Sequence, residues 1–182
     1  MSVRKRIVIL GSGISGLSAA LTLAREGKLV DLISNGPSER SGSVMAEGGI
    51  NAALNTMGQN DHPYEHAQAT SFSAAGCADE EAIREMAEAA PGLLLELYQL
   101  GVRFNLNEQG KIALRPFGGQ KKRRTAYAKD STGKQVMTAL IDAVRQYEVL
   151  GQVRRYDHHS LINLSYTDGH CSGILVRDDY SG

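Results

Sequence analysis

Cysteine, net charge and long apolar runs are all scarce in this chain, and each scarcity excludes something. Its 182 residues hold only two cysteines, Cys77 and Cys171. These stand far apart and in no C-x-x-C pairing, so they cannot hold zinc or an iron–sulfur cluster between them. They read as two buried thiols of a reducing compartment. Twenty basic residues balance twenty acidic ones, which removes any general electrostatic pull towards nucleic acid or a membrane surface. No run approaches the ~18 apolar residues of a membrane-spanning helix, and the N-terminus lacks the apolar stretch of a signal peptide. The expectation is a cytoplasmic setting. Internal repeats and low-complexity segments are missing too. The length suits about one domain with a real core.

What the chain does have is a glycine-punctuated start. Arg4, Lys5 and Arg6 lead into Ile7-Val-Ile-Leu10, which reads as a buried parallel strand. Then comes Gly11-Ser12-Gly13-Ile14-Ser15-Gly16, a G-x-G-x-x-G spacing, followed by small and apolar residues at helical spacing. Gly11 permits a tight strand-to-helix turn, Gly13 lets a diphosphate approach the backbone, and Gly16 lets the helix pack closely on the sheet. The phosphates belong at the helix N-terminus, where unpaired N–H groups and the helix dipole favour negative charge. The bare spacing is a weak signal. Its position after a predicted strand and at the start of a predicted helix makes it a dinucleotide site.

The helix is predicted over 14–26, with Leu17, Ala20, Leu21 and Ala24 on one face and Gly27 as its stop. Leu29–Ile33 is the second strand. NAD-binding units carry an acid near the end of this strand to hold the ribose. Here Asp31 lies inside the strand and Ser34 holds the strand-end position, which counts against ordinary NAD binding. The small residues from Ser34 to Asn51 form no packed element. They either line an extended ligand with main-chain N–H groups, helped by Gly48 and Gly49, or make a flexible surface loop.

The middle of the chain reads as scaffold. Pro63 is the first position of a helix; His62 and His66 are a cap-region residue and a helix-face residue, since no third metal ligand lies nearby. Asp79, Glu80 and Glu81 place acid at a second helix N-terminus, with Ile83, Met86, Ala87 and Ala90 as its packed stripe and Pro91 opening a further, Leu-rich helix. Val102–Leu106 and Lys111–Arg115 are predicted to form a hairpin, followed by a bulged turn that delivers Phe117 to the core. Lys121-Lys-Arg-Arg124 is a solvated charge run, too small for a nucleic-acid patch. Asp130 to Gly133 caps a helix over 134–149 whose buried face is Val136, Leu140, Val144 and Tyr147. Val153–Tyr156 is the third parallel strand, and Leu161–Tyr166 with Cys171–Val176 a closing hairpin. His158, His159 and His170 are expected to be exposed.

Four pieces, in order, carry a resemblance to a known family: the opening G-x-G-x-x-G; Arg40-Ser41-Gly42-Ser43-Val-Met-Ala46-Glu47-Gly48-Gly49-Ile-Asn; Gly101-Val-Arg-Phe104; and Arg115-Pro-Phe117-Gly-Gly-Gln with Arg124-Thr-Ala-Tyr-Ala-Lys-Asp130-Ser-Thr-Gly133. Together they resemble the N-terminal part of the flavoprotein subunit of succinate dehydrogenase and fumarate reductase, above all the version paired with a membrane-bound quinone-reactive anchor. The resemblance implies an α/β, Rossmann-like FAD-binding fold with a parallel sheet, a helical insertion and a partial β-meander, ending before the capping domain. It implies one FAD-binding portion over 1–182, divided into a βαβ nucleotide unit (4–34), a flavin loop (34–51), a helical and hairpin insertion (60–120) and a returning helix with strands (130–178).

By the same resemblance the FAD-binding residues are Gly11, Ser12, Gly13, Ile14, Ser15, Gly16, Ser34, Asn35, Arg40, Ser41, Gly42, Ser43, Ala46, Glu47, Gly48 and Gly49. Gly49 and Phe117 border the dicarboxylate. No metal ligand is implied, and the proton-donating arginine is expected beyond Gly182. The family's flavin-linking histidine is replaced by Gly42, so FAD is expected to be non-covalent. The implied partners are fumarate or succinate, an iron–sulfur subunit and the quinone-reactive anchor, with no nucleic acid. The implied location is the inner face of the cytoplasmic membrane, reached through partner subunits. An L-aspartate oxidase-like flavoenzyme and a FAD-binding fragment without activity are the alternatives.

Overall fold

The computed structural model describes residues 5–182, which form two compact units. One comprises the described residues up to Val44 together with Met137–Gly182, and the other is Met45–Val136.

The first unit is built on a parallel sheet of β1 (Arg6–Leu10), β2 (Leu29–Ile33) and β6 (Val153–Tyr156), in the order β1-β2-β6. Ile7 pairs with Val30, and Val30 with Val153. The helix α1 (Ile14–Arg25) joins β1 to β2 and buries Leu17, Ala20, Leu21 and Ala24. These positions recur at three- and four-residue steps and share one helical face. Val30 and Leu32 are wholly buried in the middle strand; each such aliphatic side chain contributes roughly 1.5–3 kcal/mol. Asp31 points the other way and accepts from Arg6 Nε at 2.7 Å, while Arg6 Nη2 donates to the Val30 carbonyl at 2.7 Å. Asp31 thus ties β2 to β1.

β1 is parallel as predicted, but it is not buried. Ile7, Val8 and Leu10 are 39–44 % exposed, because β1 is an outer strand of this sheet and has a neighbour on one edge only among the described residues. The hairpin of β7 (His159–Thr167) and β8 (His170–Asp178) turns at Asp168-Gly169 and is longer than predicted. His158 and His159 are half-buried rather than exposed; His170 is exposed.

In the second unit α2 (Pro63–Ala74) starts on Pro63 and packs against α3 (Glu80–Gln99). Asp79 caps α3, its carboxylate accepting from the N–H groups of Glu81 and Ala82 at 2.9 and 3.2 Å. α3 runs through Pro91 instead of restarting there. A proline's φ suits a helix, and its cost is the lost bond to the carbonyl four residues back. The continuous buried stripe Ile83, Ala87, Ala90 and Leu94 offsets that loss. Met86 falls beside this stripe and is exposed.

A small antiparallel sheet, ordered β3-β5-β4, unites β3 (Ile50–Asn51), β5 (Thr125–Ala126) and β4 (Leu114–Arg115). The predicted hairpin around 107–110 shrinks to one bridge, Leu106 with Ile112, because Leu114 and Arg115 pair with β5 instead. Cys77 and Cys171 are exposed, not buried; Cys77 follows the end of α2 and Cys171 lies on the closing hairpin. The remaining helix, α4 (Thr132–Val149), starts two residues earlier than predicted and buries Val136, Leu140 and Val144, with Tyr147 half-buried.

Candidate functional site

The carboxyl ends of the parallel strands carry the site in the first unit. The Gly11 N–H donates to the Ile33 carbonyl at 2.7 Å, and Gly11 then turns with φ +100°, a conformation that L side chains rarely adopt. A Cβ on Gly16 would lie 1.8 Å from the Gly11 carbonyl oxygen, so only glycine lets α1 pass this close to the turn. Gly13 is the N-cap and brings no side-chain oxygen of its own. Ser43 fills that role in part: its Oγ accepts from the Ile14 N–H at 3.3 Å and would stand 3.1 Å from a Cβ on Gly13. The first turn of α1 therefore faces an open space with its remaining N–H groups.

That space is a cleft of about 600 Å³. It gathers Gly11, Ser12, Gly13, Ser34, Asn35, Arg40, Ser41 and Gly42 from the sequence-predicted set. Ile14, Ser15 and Gly16 lie in the first turn behind it, and Ser43 braces that turn. Residues 34–44 are more ordered than a bare loop, with 3-10 turns at Ser38–Arg40 and Gly42–Met45 and a fully buried Ser38. Gly42 has a negative φ and open space where a Cβ would stand.

Several residues here escaped sequence reasoning, those after β6 most of all. His159, Ser160 and Leu161 line the cleft, and Asp157 accepts from Ser34 Oγ at 3.2 Å. Ser34 Oγ also lies 2.7 Å from the Gly36 carbonyl. An acid thus stands beside the end of β2 after all, supplied from β6. The His159 N–H donates to the Ser34 carbonyl at 2.9 Å, and its ring packs edge-on to Tyr156 at 5.7 Å. The signal was available: a third parallel strand next to β2 brings its own carboxyl end to the ligand-binding edge of the sheet.

Ala46, Glu47, Gly48 and Gly49 lie in the second unit, as does Phe117. Gly49 combines φ +109° with crowding: a Cβ there would meet the Ala126 carbonyl oxygen at 2.4 Å and Thr125 Cγ2 at 2.7 Å. The Ala46 carbonyl accepts from Gly133 N–H at 2.7 Å, anchoring the strip at the start of α4. Phe117 rests against Gly48, where a Cβ would be 3.0 Å from Cε1. It is 51 % exposed, so it is not a core residue.

The basic run is not uniformly solvated. Arg124 is buried and pairs with buried Asp61 at 2.8 Å, and Lys122 pairs with Glu65. The Lys122 ammonium holds the Glu65 carboxyl below the usual carboxylate range, and burial, reinforced by Arg124, pushes the His66 imidazole below its usual value. Among the described residues no three His, Cys, Asp or Glu side chains are grouped to hold a metal, and no helix is long and apolar enough to cross a membrane.

Comparison with known proteins agrees with this geometry. A family described as FAD binding domain matches residues 6–182. The succinate dehydrogenase flavoprotein subunit of Bacillus subtilis is 39 % identical over 173 residues, covering 94 % of this chain and 30 % of that protein. The fumarate reductase flavoprotein subunit of Mycobacterium tuberculosis is 33 % identical over 184 residues, covering 100 % and 30 %. Among solved structures, the Mycobacterium smegmatis Sdh1 complex in the apo form superposes with a TM-score of 0.88 at 26 % identity, covering 94 % of this chain and 31 % of that one. The chain therefore spans about a third of the length of the relatives it matches.

Proposed function

The chain belongs to the family of FAD-binding domains found in succinate dehydrogenase and fumarate reductase flavoproteins, and on that premise we propose that its cleft binds FAD without a covalent link. The observation that carries this is the glycine-lined turn into α1, with Gly11 at φ +100° and Gly16 pressed against its carbonyl. The first-turn N–H groups of α1 hold the diphosphate, and Ser12, Gly13 and Arg40 border it. Ser34, with Asp157 beside it, would hold the ribose, and His159 to Leu161 line the same cleft. Gly42 has no side chain with which to bond the flavin.

Bound FAD supplies hydride exchange at its N5, in the proposed reaction with the C2–C3 bond of fumarate or succinate. The contribution of this chain is to bind and to exclude water. The exposed Phe117 ring forms an apolar wall of the dicarboxylate pocket, beside the Gly49 backbone, and keeps solvent from the reacting atoms. Proton donation falls to an arginine outside these residues. In the whole protein, electrons pass to an iron–sulfur subunit and a quinone-reactive membrane anchor, which hold the flavoprotein at the inner face of the membrane.

Titrating the purified 182-residue protein with FAD, followed by quenching of flavin fluorescence, tests the cofactor assignment. Saturable one-to-one binding is expected, and a folded protein that leaves FAD free overturns it. This length is expected to show no dye-coupled fumarate reduction by itself. The absence of the flavin-linking histidine at Gly42 equally suits an L-aspartate oxidase-like enzyme. Turnover of L-aspartate in preference to fumarate by the whole protein decides for that reading.

A further inference from the structure

A cleft of about 720 Å³ lies wholly within the second unit, between α2 and residues 118–124. Its wall carries three cations, Lys121, Lys122 and Arg124, against a single carboxylate, that of Glu65. Asp61, the ion-pair partner of Arg124, does not line it. Counting Asp61 as well still leaves one positive charge in excess.

Two groups on this wall lack partners. The Arg124 side chain is 4 % exposed. Its Nη2 donates to Asp61 at 2.8 Å and its Nη1 reaches the Glu65 carbonyl only at 3.4 Å, while Nε is buried with no acceptor. Gln120 Oε1 is likewise shut away from solvent with no donor. Lys122 directs its ammonium at the Asn60 carbonyl and the Glu65 carboxylate, which leaves one of its three N–H donors over. Lys121 is exposed at the rim. Buried polar groups nearly always find partners, and stranding one weakens a fold. A single water would answer the orphaned atoms but not the excess charge, and the cleft has room for much more than one water.

We propose that this cleft is an oxyanion site, in which a carboxylate or phosphate group is held by the Arg124 Nε–H and the Lys121 and Lys122 ammonium groups. Gln120 accepts from a hydroxyl or N–H of the same ligand. Charge-assisted bonds to a buried guanidinium are the strong kind. The site uses residues of the second unit alone and does not rest on the cofactor reading.

The test is amide NMR of the FAD-free 182-residue protein, titrated with inorganic phosphate and, separately, with succinate, at an ionic strength fixed with sodium chloride. Saturable shifts at residues 118–124 and 68–73 are expected with at least one of the two. A response to phosphate alone assigns a phosphoryl ligand, and a response to succinate alone a carboxylate. Lys121→Gln and Lys122→Gln each remove one cation and leave the Arg124–Asp61 pair in place; each should weaken binding about three- to tenfold. Arg124→Met should weaken it further, and the lysine variants carry the test if that protein unfolds. Shifts confined to the glycine turn at 11–16, no saturable shift with either anion, or folded lysine variants with wild-type affinity overturn the inference. None of these outcomes bears on FAD binding, which the flavin titration tests separately.

Discussion

Gly16 passes so close to Gly11 that a Cβ on the first would meet the carbonyl oxygen of the second at 1.8 Å and its carbonyl carbon at 2.9 Å. Both obstacles are backbone, which cannot swing aside as a side chain can. The spacing of α1 from the end of β1 is therefore set by a missing methyl group.

Gly16→Ala should cost on the order of 1–3 kcal/mol or more, the range for forcing extra atoms into a packed site. Gly42→Ala is the matched control. Nothing lies within 4 Å of its Cβ position, and a change there should stay within about 0.5 kcal/mol. Urea denaturation of both variants checks the pair; equal midpoints would show that the Gly11–Gly16 contact is unimportant.

Acid precipitation of the FAD-loaded protein should leave the flavin in the supernatant. Gly42 has no side chain with which to bond a flavin, and the proposed non-covalent binding rests on that. Yellow colour in the washed, denatured pellet refutes the non-covalent assignment.

Arg124→Met should destabilise the protein by about 3–5 kcal/mol, because it strands the Asp61 carboxylate in the interior. The pair is 2.8 Å apart, with side chains only 4 % and 1 % exposed. Combining Arg124→Met with Asp61→Leu should recover much of that loss, since replacing both partners leaves no buried charge. Chemical denaturation of the single and double variants measures the difference; a single variant as stable as wild type would falsify the burial argument.

His66 should make the protein less stable as the pH falls. Burial lowers its pKa in the folded state, with Arg124 adding to the effect and Asp61 opposing it. An unfolded chain takes up a proton near the ordinary histidine value of about 6.5, while the folded chain resists doing so until lower pH. The unfolded state then binds more protons, so stability is lost as pH drops below that value and reaches its full extent above it. Unfolding of wild type and His66→Gln between pH 8 and 5 should show a shallower slope for the variant. Parallel slopes would assign the dependence to other groups.

The βαβ opening is legible in the order of residues. Glycine spacing, a four-residue apolar run and a three-four periodicity are local signals, and α1 and β2 appear where they indicate. The parallel β6 was also legible, as a short strand after a long amphipathic helix. Pro91 misled because a helix boundary was inferred from one residue, whereas the apolar stripe on either side of it settles the outcome. Residue type points Cys77 to the interior and an apolar stripe points Met86 there, but both are exposed, because exposure depends on which neighbours arrive.

Residue order alone therefore settles the features that depend on backbone freedom and near neighbours: the tight turn at Gly11 and the close approach at Gly16. Folding in three dimensions decided everything built from distant partners. Arg124 is sealed against an aspartate 63 residues away, Asp157 reaches Ser34 across 123 residues, and Arg115 grips a carbonyl 67 residues earlier. No local pattern encodes such pairings, because the free energy of burying a charge or stacking a cation depends on which surfaces meet.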